Sequence, residues 1–512
     1  MIKKSIISLS AILALSSNSF AADISAQDMM KQIELLKAQI AKLENKINQN
    51  ADALKSKSLE GSLKSDSKIE KRLAKVEKKL AKTNKKLNIV KAHDAADNIK
   101  WDVDFRTSMD SIKYTHASGK EDKNSSLFSN RLWLGMGYAP SDNVFFKGII
   151  SYNKAFGDSA NHMQSNTNPM YANFDWVTSE NALGNELKLK EFYWLYSNDT
   201  FLGTNMSWTA SIGRRPSTDG LGINLREDQK SKSANAHIVN VEFDGASFRW
   251  NLDKVTPLTG AWIKLCAGKG LTNAKQRFSM DGNDYAKDET QTSDIDMGGV
   301  IFVPYDDGQY SLHTKYIRAT NLIGFDQADI MAGNFVFKDQ GSLDAYAATF
   351  KAEGIGEEIS DFLDDTIFFA SFAQSKTDPA NGKAMLGSTK SETGHSTWVG
   401  VQFPCLLTDD GRIGIEWNKG SKYWRPVTYA EDTMIGSKIA ARGTAWEVYY
   451  NKPITKALSA SLRYTHIKYD YTGSNSFFGA DGAPMTMAEA LAAGQDPVEK
   501  ASDIRAYIRY RF

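Results

Sequence analysis

Beyond its first twenty residues the sequence has no apolar run approaching the roughly 20 residues that a transmembrane helix needs. Helical membrane spans are therefore excluded. A mean hydropathy of −0.42 does not exclude a barrel, because barrel strands alternate apolar with polar residues and average to a polar value. Cysteine is nearly absent. Cys266 and Cys405 are the only two in 512 residues, which rules out a disulfide scaffold. An excess of one charge is absent too: Lys and Arg number 62 and Asp and Glu 61, so no global field points to nucleic acid.

Catalytic signatures are also missing. The seven histidines, His93, His116, His162, His237, His313, His395 and His466, stand singly, and no HExxH, GxSxG or paired-cysteine motif occurs. "CAGKGLT" lacks the spacing of a P-loop. "DGNDYAKDE", 281–289, clusters Asp281, Asp284, Asp288 and Glu289, but its glycine falls at the wrong place for an EF-hand. It reads as a solvated acidic loop, with cation binding the less favoured alternative. No enzyme, cofactor or metal is expected.

What is present begins at the start. Lys3 and Lys4 precede "SIISLSAILALSS", and Ser19 and Ala21 provide the small residues for cleavage after Ala21, so 1–21 reads as a secretory signal peptide. From Met29 a heptad runs through Ile33, Leu36, Ile40, Leu43 and Ile47, breaks around Gly61, and resumes from Ile69 to Val90. The stripe is narrow and the other faces are polar, which suits partner helices better than a broad core. Residues 22–95 are thus expected to form a periplasmic coiled coil that self-associates. Its second half, "KRLAKVEKKLAKTNKKL", is basic; a solvated face is the plainer reading, and contact with an anionic envelope polymer or lipid the alternative.

Past "HDAADNIK" the composition turns to aromatics, glycine and period-two alternation, as in "MSWTASIG" and "AWEVYY". Short turns such as "APSDN", "SNDT", "PYDDGQ" and "NKPITK" alternate with longer polar connections at 117–130, 153–186, 214–236, 268–294, 319–342, 375–396, 419–443 and 472–500. A soluble sandwich has no reason to place every long loop at one end, whereas an outer-membrane barrel has short periplasmic turns and long external loops. The expectation is an all-β membrane protein over 96–512: an antiparallel barrel of about sixteen strands, with 237–252 taken as one strand although "DGAS" could turn it into a hairpin.

The chain closes on "DIRAYIRYRF", with Ile504, Ala506, Ile508, Tyr510 and Phe512 alternating with Asp503, Arg505, Tyr507, Arg509 and Arg511. A terminal aromatic behind alternating apolar residues resembles the strand by which outer-membrane proteins are recognised for insertion; Phe512, Tyr510 and Ile508 carry that likeness. If the barrel closes, this strand pairs with "WDVDFRT", and Arg505, Arg509 and Arg511 face the lumen beside Asp102 and Asp104. "IGRRPSTDGLGINLRED" opens the third long connection. Folded inward, it would set Arg214, Arg215 and Arg226 against Asp219, Glu227 and Asp228 across a constriction that filters solutes by charge; an ordinary exposed turn is the competing reading.

The coiled-coil arm, the "GRRPSTDG" stretch and the final strand together resemble a porin-like outer-membrane family, a domain of unknown function found in epsilon-class proteobacteria. The plan is also similar to sugar and phosphate porins with a coiled coil ahead of the barrel. The resemblance implies location and fold more than activity. Two functions remain in view: passive diffusion of small hydrophilic solutes or ions, and structural tethering of the membrane to the cell wall. The expected partners are the lipid bilayer and lipopolysaccharide, two further copies in a homotrimer formed through barrel and coiled coil, and the insertion machinery; peptidoglycan joins them only on the tethering alternative.

Overall fold

The computed structural model describes residues 99–512 apart from 158–185, 327–328, 330–331, 334–335, 357–358, 429–430 and 475–481. The expected signal peptide and coiled coil lie outside the described residues.

The strands are β1 Lys100–His116, β2 Glu121–Ser141, β3 Val144–Ala155, β4 Lys188–Asn198, β5 Trp208–Ser217 and β6 Val239–Asn251. Next come β7 Trp262–Leu271, β8 Ile295–Asp306, β9 Tyr310–Phe325, β10 Phe337–Glu353, β11 Ile367–Pro379 and β12 Thr393–Pro404. The last are β13 Arg412–Gly420, the two-residue β14 Val427–Thr428, β15 Gly443–Pro453, β16 Leu458–Tyr469 and β17 Val498–Arg511. Each wall strand pairs antiparallel with the next, β13 passing directly to β15, and β17 returns to β1. Among the described residues the wall is therefore a closed ring of sixteen strands, as the alternation predicts; β14 lies apart and pairs only with β6.

The final strand shows why the ring forms. Ile504, Ile508 and Tyr510 are 41–56 % exposed, whereas Arg505 and Arg509 on the opposite face are 2 % exposed. The period of two sends apolar side chains outward and charge inward. The same outward face carries Phe105, Trp194, Leu265, Phe350, Phe372 and Trp446, all exposed. Trp208 and Phe248 stack at 4.9 Å on it, with Trp250 tilted against Phe248. An apolar exterior suits lipid, and a closed ladder leaves no strand edge unsatisfied there. Phe512 completes the closure: its N–H donates to Val103 O at 2.9 Å, and its carbonyl accepts from Val103 N–H at 3.0 Å.

Three expectations need correction at the connections. The span 117–130 is no long loop, because β1 and β2 continue as a hairpin whose turn is only 117–120. The spans 319–342 and 375–396 shrink to 326–336 and 380–392 for the same reason: the strands run on past their apolar parts and take up the polar residues. Strand β6 is continuous. "DGAS" lies inside it, and Gly245 pairs with Gly213 on one side and Gly268 on the other. A Cβ on Gly245 would stand 2.2 Å from Ala267 O, so the glycine serves close strand approach rather than a turn. Cys266 and Cys405 are both free.

Candidate functional site

After β5 the chain enters the lumen instead of leaving the barrel. Residues 220–231 form a finger closed at its neck by Lys232 N–H to Asp219 O at 3.1 Å and Leu221 N–H to Ser233 O at 3.3 Å. Its one helical turn, α1 Ile223–Arg226, follows Gly222 at φ 101°. That conformation favours glycine, and a Cβ there would also stand 2.0 Å from the Trp398 ring. Ile223 packs with Phe369, Trp398 and Ile439, which holds the apolar side of the finger against the wall.

The polar side of the finger reaches across to β15, β16 and β17. Arg226 Nη1 lies 3.2 Å from Glu431 Oε1 and 3.7 Å from Glu447 Oε1. Arg463 Nη2 donates to Glu227 Oε1 at 2.8 Å, and Arg509 and Arg511 each donate to the Glu227 carbonyl at 2.7 Å. Burial would raise the Glu227 carboxyl, but Arg463, Arg106 and Arg226 outweigh it and the nearby Asp432 and hold it well below the usual carboxylate range.

A second segment, 421–442, folds in beside the finger. Trp424 Nε1–H donates to Ile439 O at 2.9 Å, and β14 adds a parallel pairing, Val427 with Val239 and Thr428 with Asn240. Lys438 Nζ donates to Glu416 at 2.6 Å and Glu447 at 3.1 Å. Asp432 accepts from Arg106 Nη2 and Arg131 Nη1, each at 2.8 Å, and its carbonyl accepts from Arg505 Nη1 at 2.7 Å. One acidic residue thereby bridges β1, β2 and β17. His237, between finger and β6, hydrogen-bonds Ser371 at 2.8 Å and Ser396 at 2.9 Å; burial brings its pKa down to about 3, so it stays neutral as a fixed link. Arg106, Arg131, Arg226 and Lys438 persist here as buried charges because each is matched by an opposite charge and by hydrogen bonds.

The expected site residues separate accordingly. Arg226, Glu227 and Asp228 come together with Arg509 and Arg511, Arg511 Nη1 donating to Asp228 O at 2.5 Å. Asp219 stays at the neck, 3.5 Å from Lys232. Arg214 and Arg215 are parted by the alternation of β5. Arg214 Nε donates to Leu189 O at 2.6 Å and its guanidinium lies 3.7 Å from Glu242 and Asp244, so it belongs to the wall. Arg215 stacks 3.9 Å over Tyr193 on the other side.

At the seam, Asp104 stands opposite Arg511 and Arg106 opposite Arg509, while Arg509 Nε reaches diagonally to Asp104 Oδ1 at 2.7 Å. Arg505 bonds Asp110. Asp102 is exposed and makes no ion pair among the described residues. Asp104→Lys should lower the temperature at which the folded barrel loses its compact gel mobility, and adding Arg509→Asp should restore part of it. A coupling of about 0.5–3 kcal/mol is expected for such neighbours; strictly additive losses would show that the diagonal bond contributes nothing.

Sequence reading missed Glu431, Asp432 and Lys438. A signal existed: Trp424, Val427, Ile435 and Ile439 are too apolar for a loop bathed in water, and all four are buried. In the acidic stretch 281–289, Lys275 bonds Asp281, and Asp284 accepts the N–H groups of Phe278 and Ser279, so those carboxylates serve the loop's own turns.

Solved structures similar to this chain include OprB of Pseudomonas putida, 12% identical, covering 83% of this chain and 96% of that one at a TM-score of 0.46. An anion-selective porin from Comamonas acidovorans is 10% identical, covering 81% and 99% at 0.43. OmpF of Salmonella typhi is 10% identical, covering 81% and 98% at 0.42. No curated protein matches the chain. A family described as protein of unknown function (DUF3373) matches residues 121–512.

Proposed function

The chain belongs to the DUF3373 family of proteins of unknown function, and we propose that its barrel is an outer-membrane channel for passive diffusion of small hydrophilic solutes or ions. The observation that carries this reading is the finger 220–231 crossing a charged lumen, with Arg226 and Glu227 set against Glu431 and Arg463. A barrel of this strand number encloses an aqueous interior unless it is plugged. Opposed charges on a segment that narrows it select among solutes by charge and dipole. In this proposal Arg226, Glu227 and Asp228 form the constriction, Asp219 braces its root, and Asp104, Arg505, Arg509 and Arg511 hold the seam while lining the path. Phe512, Tyr510 and Ile508 serve insertion, the barrel sits among lipopolysaccharide, and three copies associate.

Full-length protein in a planar bilayer should give discrete conductance steps. Absence of any step at high salt would sink the channel reading. One observation favours the alternative of a structural barrel tethered to the cell wall: Arg226, Lys438 and Glu447 are 0 % exposed, so little water reaches the crossing itself. A non-conducting barrel whose envelope attachment loosens on deletion of 23–95 would favour that alternative.

A further inference from the structure

We infer that a luminal cavity between the root of the finger and the wall from β4 to β9 is a binding site for a small oxyanion of the phosphate kind. The inference deepens the channel reading by naming a solute class. Its route rests on that reading and its chemistry does not.

The cavity holds about 560 Å³. Strands β5, β6 and β7 point Arg215, Arg249 and Lys264 at it, and Lys315 of β9 lies level with Lys264, with Ile301 of β8 between them. None of these four cations makes an ion pair with a carboxylate among the described residues. Their hydrogen bonds and ring contacts are to neutral groups, and Asp253 and Asp306 attract Arg249 only from beyond ion-pair distance. Arg249 Nε donates to Asn251 Oδ1 at 2.9 Å and its guanidinium stacks 4.1 Å over Trp262. Lys315 Nζ donates to Asn235 O at 3.1 Å and Ser233 Oγ at 3.3 Å. Arg215 is 8 % exposed, and its Nη1 has no hydrogen-bond acceptor among the described residues.

Elsewhere in this lumen buried cations such as Arg226, Lys438, Arg463 and Arg505 each have a carboxylate, so the contrast is local. Lys232, on the same cavity, is already neutralised by Glu191 at 2.7 Å and Asp219 at 3.5 Å. Asp306 is the only carboxylate among the described lining residues. The remaining polar lining is largely hydroxyl: Ser211 and Ser247 hydrogen-bond each other at 2.9 Å, and Thr209 and Ser231 stand nearby. Mutually repelling cations beside hydroxyl donors, in a space large enough for a hydrated anion, is the chemistry that takes up an oxyanion. An oxyanion accepts several such hydrogen bonds at once, which chloride cannot do as directionally.

Full-chain protein in detergent, titrated with sodium phosphate at constant ionic strength in a calorimeter, should bind it saturably, and sodium chloride in its place should not. Lys264→Gln and Arg249→Gln should each weaken phosphate binding about tenfold or more while the folded gel mobility is kept. Lys123→Gln, on the exposed β1–β2 hairpin, should leave it unchanged. Equal heats with chloride, or wild-type affinity in the Lys264→Gln protein, would overturn the oxyanion site. Binding by a barrel that conducts nothing would keep the site and remove the channel; conduction without phosphate binding would do the reverse.

Discussion

Excising residues 220–231 and bridging Asp219 to Lys232 with two glycines should raise single-channel conductance several-fold. The neck makes the excision feasible, since Lys232 N–H already bonds Asp219 O and the wall strands need not move. What leaves is the crossing itself, Arg226, Glu227 and Asp228, together with Ile223, which seats it on Trp398 and Phe369. Conduction follows the narrowest charged section, so its removal changes both the size and the ion preference of the current. Recording reversal potentials in a salt gradient checks the second part. An unchanged conductance in a barrel of normal gel mobility would mean that the finger does not limit flow. Arg463 and Arg509 lose Glu227 in the same step, so some loss of thermal resistance is expected alongside the larger current.

Asp432→Ala should be the most damaging single change, costing about 3–5 kcal/mol as removal of one partner from a buried ion cluster does. Arg106 and Arg131 are 3 % and 2 % exposed, and each gives a hydrogen bond to this carboxylate. Their other acids are farther: Glu227 is 3.8 Å from Arg106, and Asp104 is 3.5 Å from Arg131. The temperature at which compact gel mobility is lost should fall well below that of the wild type, with Asp432→Asn intermediate.

The pH dependence has two opposed signs at this point. Burial would raise the Asp432 carboxyl, yet Arg106 and Arg131 hold it well below its ordinary 3.8. Its contribution is complete above that ordinary value and is lost only as pH falls through the lower folded one, so it survives at pH 4. Glu431 runs the other way. Burial raises it above its ordinary 4.5 despite Arg226 and Lys438, so stability is greatest below 4.5 and declines as pH rises through the raised value. Glu431→Gln should remove that decline, visible as a flatter thermal-stability profile above pH 4.5.

The wall was legible from the chain because a barrel strand writes its two environments into alternate letters. Ile504, Ile508 and Tyr510 against Arg505 and Arg509 needed no further information, and the closing partnership with β1 followed from the cost of an open edge in lipid. Loop lengths were less legible, since strands that run beyond the membrane turn polar while keeping their ladder, as β1 and β2 do. The crossing was half legible. Arg226 and Glu227 announced charge near a glycine bend, but whether a loop turns inward depends on what receives it. The receivers, Glu431, Asp432, Glu447 and Arg463, lie more than 200 positions away in the chain. Arg214 and Arg215 were joined by adjacency and parted by the strand, a distinction visible only once β5 is known to continue through both.

The pairing of β14 with β6 has a consequence in time. Hairpins of the wall join neighbours in sequence and can form early, whereas the interior bonds link residues 236 positions apart at Arg463 and Glu227 and 326 apart at Arg106 and Asp432. Contacts of such separation form slowly because the intervening chain must first be closed. The cylinder is thus expected to exist for a while with its interior unfilled, a young, wide and leaky form that matures as the two inner segments find their seats.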